Sequence, residues 1–169
     1  MGYDDGMSHL HEREFVRAAL SYAGRLLAAF VAANPAPDGN GARVLLHAAG
    51  FSEPAIITLA AVHHPGDMTP HYDVHWKAEG GGAFPVFSGQ LTVEADEDYN
   101  SFWLAIDGSY DPPGGLAGKM FDAVVGHRFA VETTRNLLLA MRDAAEATYR
   151  SEEESKPHFA TTPDTDAAD

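Results

Sequence analysis

The chain contains no cysteine. That excludes disulfides, thiolate zinc sites and thiol nucleophiles together. Basic residues are scarce as well: 11 Lys and Arg stand against 25 Asp and Glu, a formal net charge of −14 over 169 residues. Phosphate backbones are held by clustered Lys and Arg, so this balance argues against a nucleic-acid partner. It also disfavours docking on anionic membrane surfaces. Part of the charge sits at the C-terminal end, where residues 151–169 carry six acids and one lysine; the remainder is still −9. No apolar run is long enough to span a bilayer, so stable membrane insertion is not expected. The opening Met-Gly-Tyr-Asp-Asp-Gly lacks the basic start and apolar stretch of a signal peptide, and a cytoplasmic protein is the expectation. Gly80, Gly81 and Gly82 precede a strand instead of opening a helix, so they read as a turn and not a phosphate loop. No serine lies in a nucleophile-elbow context, which lowers the case for a hydrolase.

What is present is an ordinary globular balance, 45% apolar and 21% charged, in a chain long enough for one well-cored domain. Residues 1–7 read as a disordered N-terminus, 8–150 as the domain and 151–169 as an acidic disordered tail. Within the domain, residues 9–16 suggest a strand. A helix follows from Ser21 to about Ala33, with Tyr22, Leu26, Phe30 and Ala33 on one apolar stripe. The run from Asn34 to Gly41, rich in Pro and Gly, ends it. Strand-like segments then come in series at 43–48, 54–64, 69–79, 84–95 and 101–110.

The last two of these can be registered from the sequence. A four-residue loop at 97–100 pairs Ala95 with Phe102, Val93 with Leu104, and Leu91 with Ile106. It sets Gly89 opposite Gly108 and Phe87 opposite Tyr110. That face is wholly apolar or glycine, while Ser88, Gln90, Thr92 and Glu94 point the other way. A one-residue slip would bury the polar set, so the register is strongly specified. The opposed glycines leave a notch that permits a sharp bend in the sheet or the close approach of a helix or ligand. Pro112 and Pro113 stop the strand. A helix is then expected from Leu116 to Arg150, with Met120, Val124, His127 or Arg128, Val131, Leu138, Met141, Ala145 and Tyr149 near one stripe. Its last turns, at Glu152 to Glu154, are expected to project or fray.

Strand, helix, a run of antiparallel strands and one long C-terminal helix resemble the helix-grip fold of the START-like, or SRPBCC, superfamily. The residues that carry the likeness are Phe84-Pro85-Val86-Phe87, Gly89, Leu91 and Val93. Leu104, Ile106, Gly108, Tyr110, Pro112, Pro113, Gly114 and Gly118 continue it, and Asp122, Arg128, Ala130 and Thr133 complete it on the helix. They resemble a bacterial branch whose members mostly lack an assigned activity. One departure is the single helix read after the first strand, where the superfamily commonly has two short ones. The resemblance implies an α+β domain: a curved antiparallel sheet of about six strands wrapped around the C-terminal helix. It also implies a hydrophobic ligand, such as a lipid or polyketide, held between them. Fold alone does not transfer function.

The walls of such a cavity would be Tyr72, Val74, Trp76, Phe87, Leu91, Phe102, Leu104, Ile106 and Tyr110 on the sheet. Met120, Phe121 and Val124 would line it from the helix, and the mouth would lie near residues 112–118. Apolar walls with a few hydroxyls are what small-molecule pockets look like. Tyr110 also fits a packing tyrosine bonded to backbone, and Asp122 and Arg128 fit capping or sheet-edge ion pairs. His47, Glu12 and Glu14 are further polar candidates that the pattern does not place. His71, Asp73 and His75, with His63 or His64 nearby, have the residue types zinc accepts. They alternate with the buried Tyr72, Val74 and Trp76, however, which puts them on the solvated face, so neither a metal nor a cofactor is expected. Three readings follow. The first is a carrier or sensor of a hydrophobic small molecule. The second is a polyketide cyclase- or dehydratase-type enzyme using the same cavity, and the third is an interaction module whose interior is simply full.

Overall fold

In a computed structural model, described here for residues 8–63, 65–66, 69–80, 84–111 and 123–157, six strands form one antiparallel sheet. Chain order is β1 (Ser8–Val16), α1 (Ala23–Ala33), β2 (Ala42–Ala48), β3 (Phe51–Val62), β4 (His71–Ala78), β5 (Val86–Ala95), β6 (Phe102–Asp111) and α2 (Ala123–Ser155). A single 3-10 turn, Leu20–Tyr22, leads into α1. Across the sheet the order is β1-β6-β5-β4-β3-β2, so the first two strands are its edges. The sheet curls into a half-barrel with α2 along it, the arrangement of a helix-grip fold. No helix among the described residues is long and apolar enough to cross a membrane.

Hydrophobic alternation decides which face curls inward. Val74, Trp76 and Ala78 of β4 are buried while Asp73, His75 and Lys77 are exposed. The β5–β6 pairing is the one the alternation specifies, with Phe87 opposite Tyr110, Gly89 opposite Gly108 and Leu91 opposite Ile106. The β2–β3 connection is a two-residue turn, Ala49-Gly50, with φ of 49° and 80°. A tight hairpin needs positive φ at both central residues.

Helix α2 is held by an apolar stripe down its middle and polar bridges on both flanks. The stripe is Phe129, Ala130, Leu137, Leu138, Met141 and Ala145, interrupted by Thr133 and Thr134, both fully buried. Each threonine satisfies its hydroxyl on its own helix, donating to Phe129 O at 2.8 Å and to Ala130 O at 2.9 Å. On the β1 flank, Glu12 pairs with Arg135 at 3.1 Å, Glu14 with Arg142 at 2.6 Å, and Glu146 accepts from the Arg17 amide. On the β2 flank, Glu132 accepts from the Ala49 amide at 3.1 Å, and Asn136 donates to His47 O at 2.9 Å. Glu12 and Glu14, which the sequence pattern left unplaced, are thus clasps between sheet edge and helix.

Two sequence expectations change. Val124 was assigned to the inward stripe but is 57% exposed, and the buried stripe passes instead through Phe129, Ala130 and the two threonines. The helix also continues to Ser155, five residues into the segment read as a disordered tail. Its end does not project: Tyr149 packs edge-to-face on Tyr22 at 5.0 Å, Glu152 pairs with Arg25, and the Lys156 ammonium lies over the Tyr22 ring.

Candidate functional site

Between α1 and the far ends of β3 and β4 lies a cleft of about 330 Å³. Its α1 wall repeats small residues one turn apart, Gly24, Ala28 and Ala32, with Leu27 and Val31 between them. Helical spacing puts these on one face. The sheet wall is Leu59 and Ala61 of β3 and Tyr72 of β4, and Ala61 and Tyr72 are register partners. Small side chains on the helix leave the gap that Leu or Phe would close. Among the described residues all lining groups are hydrocarbon or backbone except the Tyr72 hydroxyl.

That hydroxyl reaches the helix: a Cβ at Gly24 would touch it at 3.4 Å. It makes no hydrogen bond among the described residues. Burial pushes the Tyr72 phenol above its ordinary pKa of 10.0, since charge is disfavoured in an apolar wall. The cleft therefore presents one neutral hydroxyl, free to donate or accept, in a hydrocarbon setting. Its volume lies at the small end of the roughly 300–1,000 Å³ typical of ligand pockets.

The middle of the concave face is different. Trp76, Phe87, Leu91, Leu104 and Ile106 are 0% exposed, so no water-sized space adjoins them, and Val74, Phe102 and Tyr110 are within 2% of that. Trp76 and Phe87 stack with centroids 4.0 Å apart and planes 11° from parallel. The glycine notch is occupied by the chain itself. A Cβ on Gly89 would lie 2.3 Å from the Asp107 carbonyl oxygen and 2.8 Å from the tip of the Phe87 ring. A Cβ on Gly108 would lie 2.5 Å from Ser88 O and 2.7 Å from the same ring tip. At the notch the tip of the Phe87 ring lies against both glycines, and glycine is there because two backbones and a ring meet. The expected mouth at 112–118 lies outside the described residues, as do Met120 and Phe121.

Of the twelve residues expected to line a cavity, Tyr72 alone borders the α1 cleft; eight others on the sheet are core, and Val124 is exposed. The other seven lining residues were missed, among them the small Gly24, Ala28 and Ala32 of α1. Their signal was the three-fold repeat of small residues at four-residue spacing, visible beside the larger apolar stripe. Two polar details mark the core. The Trp76 Nε1–H is buried without a hydrogen-bond partner among the described residues, a situation that costs about 1–3 kcal/mol. The Tyr110 hydroxyl lies 3.2 Å from Nδ1 of His127, its hydrogen-bond partner among the described residues. On the outer face, His71 Nδ1 meets Thr92 Oγ1 and Asp73 accepts from Gln90. No three His, Asp or Glu among the described residues are placed to hold a metal ion.

Fold and cleft together define the class: an α+β helix-grip domain with a small apolar cleft under its first helix. No protein-family model matches the chain, and no curated protein is detectably similar to it.

Proposed function

We propose that this protein binds a small, neutral, hydrophobic molecule carrying one hydrogen-bonding oxygen, and that it does so in the α1 cleft. Membership of the START-like superfamily is part of the same proposal and would make it a carrier or sensor of that molecule. The observation that carries the reading is the Tyr72 hydroxyl, without a partner among the described residues and set in hydrocarbon walls. An apolar surface of this kind gains on the order of 25 cal/mol per Å² when covered. A ligand oxygen meeting Tyr72 adds orientation, because a hydrogen bond favours a near-linear geometry. An anionic ligand is disfavoured there, since no cation among the described residues lines the cleft.

The test is binding of 1-aminoanthracene, a neutral fluorophore that brightens in apolar surroundings, paired with native mass spectrometry of the purified protein for a co-purified molecule. Saturable brightening, lost when Ala61→Phe fills the cleft, supports the proposal. Brightening that survives Ala61→Phe places the probe elsewhere and ends it. An absence of binding in the wild type leaves the reading of an interaction module with a full interior.

A further inference from the structure

A second opening lies at the other end of the concave face, where Tyr110 lines up with Phe87 and Trp76 instead of with Tyr72. It is a groove of about 560 Å³ between β1 and the start of α2, walled by Glu12, His127, Arg128, Val131, Glu132 and Arg135. Its chemistry is the reverse of the cleft's. Two of its four formal charges cancel directly, because both the Nε and one Nη of Arg135 donate to the same Glu12 oxygen, at 3.3 and 3.1 Å. Arg128 and Glu132 are four residues apart and would ordinarily pair along the helix, although Arg before Glu is the weaker order. Here Glu132 is turned away to the Ala49 amide in the β2–β3 turn, 3.1 Å distant. Arg128 is exposed and makes no ion pair among the described residues.

His127 completes the arrangement. Tyr110 is 2% exposed, so its hydroxyl proton needs an acceptor, and among the described residues His127 Nδ1 at 3.2 Å is the one it has. Were the imidazole to donate instead, the phenol proton would be left buried and unpaired, at a cost that disfavours it. The neutral imidazole then carries its proton on Nε2, the nitrogen opposite Tyr110. A donor N–H and a guanidinium without an ion pair among the described residues thus line one groove, together with the half-buried Val131.

We infer that this groove is a binding site for a carboxylate-bearing small molecule, its carboxylate taken by Arg128 and His127 Nε2–H and its apolar body laid on Val131. Guanidinium and carboxylate match as planar partners. Tyr110 is a positioning residue that fixes the imidazole tautomer. This site does not depend on the α1 cleft, which accepts neutral molecules.

The test titrates the full chain with benzoate, following the His127 imidazole by nitrogen-detected NMR, with benzyl alcohol as the uncharged match. The expected result is an Nε2–H tautomer in the free protein and a saturable His127 shift with benzoate, absent with benzyl alcohol. Arg128→Gln, at an exposed position, should weaken benzoate about fivefold, the scale of an exposed ion pair. Ala61→Phe should leave it unchanged, so failure of the cleft and failure of the groove are told apart. No saturable shift, an equal response to benzyl alcohol, or undiminished binding in Arg128→Gln would overturn the inference.

Discussion

The middle and the α1 end of the concave face are built from similar residues, yet one is full and the other open. In the middle, large side chains meet glycine: the Phe87 ring lies against Gly89 and Gly108 and stacks on Trp76. At the α1 end, small side chains on the helix face modest ones on the strands, and about 330 Å³ stays unfilled. Apolar residues line both, but the middle is buried while Gly24, Ala28, Ala32 and Ala61 at the α1 end are exposed. Whether space remains depends on which sizes face each other across the layers, because interiors pack to near-crystalline density wherever they can.

Breaking the full region should cost most. Phe87→Ala removes the ring that fills the notch, and a loss of about 3–5 kcal/mol is expected in denaturant unfolding. Gly108→Ala should cost about 3 kcal/mol, because its Cβ would lie 2.5 Å from a backbone oxygen that cannot swing aside. A stable Gly108→Ala protein would mean that the strands are not as close as described. Glu14→Gln weakens a clasp whose two side chains are 21% and 28% exposed, and about 1 kcal/mol is expected, shrinking as salt is added.

The open region should respond in the opposite manner: little change in stability, a large change in binding. Tyr72→Phe keeps the ring and should shift stability by less than about 1 kcal/mol. Its effect on pH dependence has a definite sign. A phenol whose folded pKa is raised favours the protonated form in the fold. Its stabilising contribution is complete below pH 10 and is lost as the pH rises above that value. Tyr72→Phe should therefore flatten part of the alkaline loss of stability, and a spectrophotometric titration should lose one phenolate that forms above pH 10. Unchanged alkaline unfolding would place Tyr72 in water instead of in the cleft wall.

The β5–β6 hairpin was legible in the sequence down to its register, because strict alternation over ten residues leaves a slip no acceptable face. The six strand segments along the chain and the long final helix were legible from their own periods, but the order of the strands across the sheet was not. The inward face of α2 was less so. Val124 and Val131 suggested a stripe that the structure rotates toward Ala130, Thr133 and Thr134. Threonines that bond to their own helix do not look buried in a sequence. The continuation to Ser155 depends on Arg25 and Tyr22, partners over a hundred residues away, and local composition argued for a tail. The cleft was hidden for a different reason. Gly24, Ala28 and Ala32 are small in the sequence, but they make a gap only because α1 crosses the sheet opposite Leu59, Ala61 and Tyr72.

The most direct test of the open cleft is 1-aminoanthracene binding to wild type and Ala61→Phe side by side, with unfolding curves for both. The account predicts saturable binding in the wild type, at least tenfold weaker binding in Ala61→Phe, and stabilities within about 0.5 kcal/mol of each other. Equal binding by two equally stable proteins would contradict it.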